Sequence, residues 1–151
     1  GHNYGAQAYD RVQTTHRLSI RLAVVYAALS WLILLPLARP LSGLFSSDPG
    51  VLHLSTVYLL IATLGHAGFY ISNWMSQLLN VVGKPLPVLM INLCRVLLFI
   101  VPLCLIGNLL FGFYGLVSGI ALGNLLSGVL AHYATHHQLK EPYAETQSTL
   151  R

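Results

Sequence analysis

Five side chains able to hold or pass a solute recur along one apolar stretch: His66, Tyr70, Asn73, Gln77 and Asn80. At about 100° per residue, their offsets place all five within about 40° of one line on a helix. Thr63 extends the line at its other end. An imidazole, a phenol and three carboxamides donate and accept hydrogen bonds but carry no fixed charge. In a membrane such groups must face protein or a water-filled cavity. Two readings fit: a lining for a solute pathway, or a set of interhelical hydrogen bonds worth about 0.6 kcal/mol each. Five aligned groups exceed what helix association needs, so the pathway is the favoured expectation.

Arg95 is the one charge deep inside an apolar segment, and Asn92 lies one turn earlier, placed to share its hydrogen bonding. A central Arg costs roughly 2.5–3.5 kcal/mol on insertion scales, less if it snorkels. It reads as a structural anchor or as a participant in a transport cycle. His132, His136 and His137 form H-x-x-x-H-H, similar to one histidine box of di-iron membrane desaturases. The other histidines are isolated in sequence, so no metal site is expected. Asp10, Asp48, Glu141 and Glu145 all fall outside the apolar segments, and no paired-acid site, nucleophile elbow or phosphate loop occurs. An enzyme is not expected. Cys94 and Cys104 point about 80° apart on a helix, which argues against a disulfide.

These residues must be positioned by membrane helices. Hydrophobic residues make up 55% of the 151, and charged residues only 8%; a soluble domain carries about 25% charged. Mean hydropathy is +0.66. Four spans are predicted: Leu18–Leu37, closed by Pro36 and Pro40; Leu54–Val82; Val88–Leu110; and Leu116–Thr135. SSDPG, GKPLP and FGFYG read as the turns between them. Gly115, Gly119, Gly123, Ser127, Ala131 and Thr135 recur every four residues, a small-residue stripe that admits a close helix neighbour. Gly65 and Gly68 suggest close packing or a kink.

The predicted architecture is an all-α, polytopic membrane bundle of four transmembrane helices. Residues 1–17 read as a cytoplasmic loop, 18–137 as the membrane part and 138–151 as a polar cytoplasmic tail, expected to be disordered beyond Lys140. Arg11, Arg17, Arg21, Lys84, Lys140 and Arg151 fall on one side and Arg39 on the other. That bias puts the first group, and the carboxy terminus, in the cytoplasm. Basic residues form no run or face, so nucleic acid is not an expected partner. The chain opens on Gly1 without a signal-peptide pattern and is expected to be a fragment whose upstream part is missing.

The order of motifs resembles the multidrug and toxic compound extrusion (MATE) family. Gly1-His2-Asn3-Tyr4-Gly5-Ala6 is similar to its G-Q-N-x-G-A segment, with His2 where Gln is usual. Asn80-x-x-Gly83-Lys84-Pro85 resembles the N-x-x-G-K-P after the tenth helix. Arg95 with Pro102 resembles a pair in the eleventh, and Gly112-x-x-Gly115 followed by Asn124 resembles the entry to the twelfth. The resemblance covers about residues 1–140. It implies helices nine to twelve of a twelve-helix, two-lobe antiporter in the cytoplasmic membrane. Such an antiporter exports amphipathic or cationic small molecules against Na+ or H+, needs no cofactor and pairs with its missing amino-terminal part. Some sodium-coupled members carry an Asp midway along the tenth helix. Here His66–Asn73 reads HAGFYISN, with no acid, which leaves either a carboxylate in the missing lobe, suited to proton coupling, or no ion coupling of that kind. A lipid-linked oligosaccharide flippase of the same superfamily is the alternative; a membrane metalloenzyme or a self-contained four-helix scaffold is remoter.

Overall fold

Apolar sequence in lipid must satisfy its own backbone, and helices do so within one segment. The computed structural model describes the backbone of residues 9–149 and the side chains of residues 14–138, and within these it is helical apart from short turns. The opening motif at residues 1–6 and the Lys140 side chain lie outside those limits.

Helix α1 spans Tyr9–Gly43. It starts earlier than the loop expected through Arg17, and it runs past Pro36 and Pro40 rather than closing there. In lipid, Pro within a helix is tolerated where nearby groups adjust the freed backbone. Just beyond, the Ser42 hydroxyl donates to the Ala38 carbonyl at 2.8 Å, a carbonyl that neither proline frees. Helix α2 spans Pro49–Leu64, started by Asp48, whose carboxylate accepts from the Val51 N–H at 3.0 Å, with Pro49 in the first turn. Helix α3 spans His66–Val81. Together α2 and α3 make one crossing, bent by 46°. The bend sits at Gly65, where a Cβ would lie 2.8 Å from the Ala121 Cα.

Gly83, at φ 77°, turns the chain. The Lys84 ammonium then donates to the Gln138 carbonyl at 3.2 Å and to its Oε1 at 2.7 Å, tying this turn to the end of the last crossing. Helix α4 spans Pro85–Leu93 and passes into a π-helical segment, Cys94–Ile100, before α5, Val101–Thr149. Pro102, which has no N–H to give the Leu98 carbonyl, follows the π segment directly after Val101. The Val101 N–H reaches back five residues to Val96. Helix α5 continues to Thr149, past Thr135, where the last span was expected to end.

A straight run from Pro85 to Gln138 would be far longer than a bilayer is thick, at 54 residues. It doubles back at Gly112, where φ is 57° and ψ −136°. Gly107 then lies against Gly115, Leu103 and Cys104 against Gly119, and Ile100 against Gly123. Among the described residues the chain therefore makes four crossings, as the hydropathy predicted. The second and fourth run parallel: Gly65 meets Ala121, and Gly68 meets Asn124, Leu125 and Gly128. All six members of the small-residue stripe are buried. Leucines such as Leu18, Leu22, Leu29, Leu32, Leu97 and Leu109 remain exposed, as lipid or further helices require.

The backbone at Gly112 is a conformation that L side chains rarely adopt, and a Cβ there would meet nothing within 4 Å. Gly112→Ala should therefore show a pure backbone penalty of about 1–3 kcal/mol. A lowered thermal unfolding midpoint of the purified protein in detergent is the expected reading. An unchanged midpoint would mean the hairpin does not depend on this conformation.

Candidate functional site

Because His66–Val81 is one uninterrupted α-helix, the periodicity of the polar row survives in three dimensions. Gly68, Ser72, Met75, Ser76 and Leu79 form the buried face, and at about 100° per residue the polar row lies some 130° away from it. His66, Tyr70 and Asn73 are half-buried, while Gln77 and Asn80 are exposed. Thr63 does not join them. It lies beyond the Gly65 break, is buried, and donates to the Leu59 carbonyl.

An aromatic chain runs along the same face. Tyr70 contacts Tyr26 of α1 edge-on at 5.0 Å, His66 at 5.7 Å, Phe69 at 5.5 Å and Trp74 at 6.4 Å between ring centroids. Trp74 and Gln77 also line a groove of about 380 Å³ between α1 and α3, with Thr15, Ser19 and Leu22 on its other wall. Sequence reasoning singled out the polar members and missed Tyr26, Phe69 and Trp74. The signal available was the i, i+4 spacing of Tyr70 and Trp74; the Tyr26 partnership is set by packing alone.

Arg95 sits in the π-helical segment with its guanidinium carbon 4.7 Å from the centre of the Phe69 ring. Its Nε is buried and, among the described residues, has no hydrogen-bond partner. Asn92 does not share its bonding, contrary to expectation. The Asn92 amide donates to Val88 at 3.0 Å, the carbonyl one turn behind it on the same helix. The side chain thus answers its own backbone, a bond available at i−4 in any helix.

The histidines at the end of α5 meet a residue distant in sequence. His16, buried in α1, lies with its Nε2 3.3 Å from the His132 Nδ1, rings stacked at 5.1 Å, and 6.4 Å from the His136 ring. These contacts join the first and last crossings at one end, while His53 and Tyr114, 3.0 Å apart, join the starts of the second and fourth crossings at the other. Among the described residues no three His, Cys, Asp or Glu side chains are grouped to hold a metal ion.

The four crossings, the bent second span and the Gly112 hairpin frame the comparison with known proteins. A model of the MatE family matches residues 1–106. The chain belongs to the MatE family. Its similarity to the FAD transporter of Shewanella oneidensis is 32% identity over 148 residues, 98% of this chain and 33% of that protein. Its fold is similar to that of the Vibrio cholerae MATE transporter VcmN in the bent form, with a TM-score of 0.87 and 25% identity over 91% of this chain and 32% of that one. A point mutant of VcmN gives a TM-score of 0.86 at the same identity. The chain spans about a third of the length of these relatives. MatE-family proteins are membrane transporters, not enzymes, and this chain is a multi-pass membrane part of that family.

Proposed function

We propose that the protein carrying this chain is a secondary active antiporter of the inner membrane that exports aromatic, amphipathic small molecules against Na+ or H+, with flavin adenine dinucleotide as the leading cargo. One observation carries the pathway: the polar row His66, Tyr70, Asn73, Gln77 and Asn80 occupies the side of α3 turned away from its buried face. The ring chain around Tyr70 suits a planar cargo, since aromatic faces stack on one another. The relative named as an FAD transporter, similar over nearly the whole chain, supports the choice of a flavin.

In this reading residues 18–137 are helices nine to twelve of a two-lobe transporter. Residues 1–17 and 138–151 lie in the cytoplasm, with the carboxy terminus. The spatial grouping of His16 with His132, and of Lys84 with Gln138, at one end of the bundle supports placing Arg17 and Lys84 on the same side. Antiport follows if ion and cargo favour opposite states, each displacing the other. With the acids of this sequence outside its crossings, the coupling carboxylate is assigned to the amino-terminal lobe.

The test is uptake of FAD into inverted membrane vesicles holding the intact protein, under an imposed Na+ or H+ gradient. Accumulation above vesicles lacking the protein, abolished when the gradient is collapsed, is the expected result. No accumulation under either gradient would overturn the flavin reading. A second reading, export of organic cations, is favoured by the same rings through cation–π attraction; efflux of a cationic dye without flavin movement would select it.

A further inference from the structure

We infer that Arg95, held over the Phe69 ring beside the Tyr70 aromatic chain, is the residue that recognises the phosphate of the cargo. The inference rests on the flavin reading and adds to it a specificity-determining side chain.

The guanidinium is placed without being neutralised. Its contact at 4.7 Å is with the face of Phe69, which attracts the cation but accepts no conventional hydrogen bond. Asn92, the nearest polar candidate on the same helix, donates to Val88. The four acids of the sequence, Asp10, Asp48, Glu141 and Glu145, lie outside the membrane segments, so none stands within the third crossing to pair with Arg95. The Nε is removed from solvent and has no hydrogen-bond partner among the described residues. Arg95 as a whole is half-buried, and a guanidinium whose buried Nε goes unpaired is a strong ligand for an anion.

The surroundings narrow the anion. Phe69 adjoins Tyr70, which adjoins His66, Tyr26 and Trp74. A molecule that stacks a planar ring on this chain brings whatever is tethered to that ring toward Arg95. The fork of a guanidinium matches two oxygens of one phosphate, which a point-charged ammonium does not. The matching chemistry is an aromatic ring system carrying a phosphate or diphosphate. A phospholipid headgroup shares the phosphate but lacks the ring, and the test separates these two sources.

The experiment titrates FAD, riboflavin phosphate and riboflavin against the intact transporter in an uncharged detergent, following flavin fluorescence. Phosphorus analysis of copurified lipid runs in parallel. In the wild type, both phosphate-bearing flavins should bind more tightly than riboflavin. Arg95→Gln should weaken FAD binding about 10- to 100-fold, the loss of a charge-assisted hydrogen bond, and leave riboflavin within about two-fold. Arg95→Lys should recover part of the loss, which also guards against a folding artefact. Equal weakening of FAD and riboflavin would overturn the inference and leave the flavin reading standing, because Arg95 would then only shape the site. Loss of bound phospholipid without any change in flavin selectivity would assign the guanidinium to a headgroup and likewise overturn it. No flavin binding in the wild type would remove the cargo reading itself, and this inference with it.

Discussion

Replacing Gly68 with leucine is expected to unseat the second crossing from the fourth and remove most of the protein from the membrane. At this position a Cβ would overlap the Asn124 carbonyl and the Leu125 Cα, and Gly128 presses back on Gly68 from the same side. Every one of those atoms is backbone, so no flexible side chain can yield. The helices must separate. Separation exposes what their approach buries: Ser72, Met75, Ser76 and Leu79 on α3, and Ser127, Ala131 and Thr135 on α5. In lipid the loss is not offset by a hydrophobic effect, because helix association there depends on close van der Waals packing. Overpacking typically costs about 1–3 kcal/mol, and rigid backbone on the receiving side places this case at about 3 kcal/mol or beyond. The measurements are membrane abundance and thermal midpoint in detergent. Gly43→Leu is the control, since its Cβ would meet only the Leu52 Cδ1 at 3.9 Å, an ordinary contact. If both variants kept the wild-type midpoint, the close parallel contact would not be what holds these crossings together.

That contact shows how unevenly the fold could be read beforehand. The small-residue stripe from Gly115 to Thr135 announces a close neighbour at sight, because a four-residue repeat of small side chains marks one helix face. Its neighbours were not legible. Gly115, Gly119 and Gly123 face the third crossing, while Ala121, Asn124 and Gly128, on another side of the same helix, take Gly65 and Gly68. Periodicity specifies a face but not the partner. The prolines misled in the opposite direction. Pro36 and Pro40 read as a helix end by soluble-protein rules, yet in lipid an unpaired carbonyl outside a helix costs more than a proline within one. The third crossing carries a π register around Arg95, which no hydropathy pattern reveals. For the site, the polar row was legible because all five members share one unbroken helix. Tyr26 and His16 were not, because each joins its partners across a helix interface.

The double substitution Asn73→Leu with Gln77→Leu should produce the reverse of the Gly68 result: an intact fold and lost transport. Neither carboxamide makes a side-chain hydrogen bond among the described residues that would be missed from the bundle. Asn73 is half-buried, and Gln77 is exposed on the wall of the groove facing Thr15 and Ser19. Leucine is of similar bulk, a strong helix former, and at ease in an apolar segment. Abundance and thermal midpoint should therefore stay at wild-type values. Transport should not. If this face is wetted by the pathway, the cargo loses two hydrogen-bonding partners at about 0.5–1.5 kcal/mol each, which converts to roughly 10- to 100-fold in rate. The comparison is FAD uptake per unit of protein in inverted vesicles, wild type against double mutant. Full transport at equal abundance would reduce the polar row to a lipid-tolerated surface. A fall in abundance matching the fall in transport would make it a packing face against other helices. Only the split between the two quantities places His66 to Asn80 along the route of the solute.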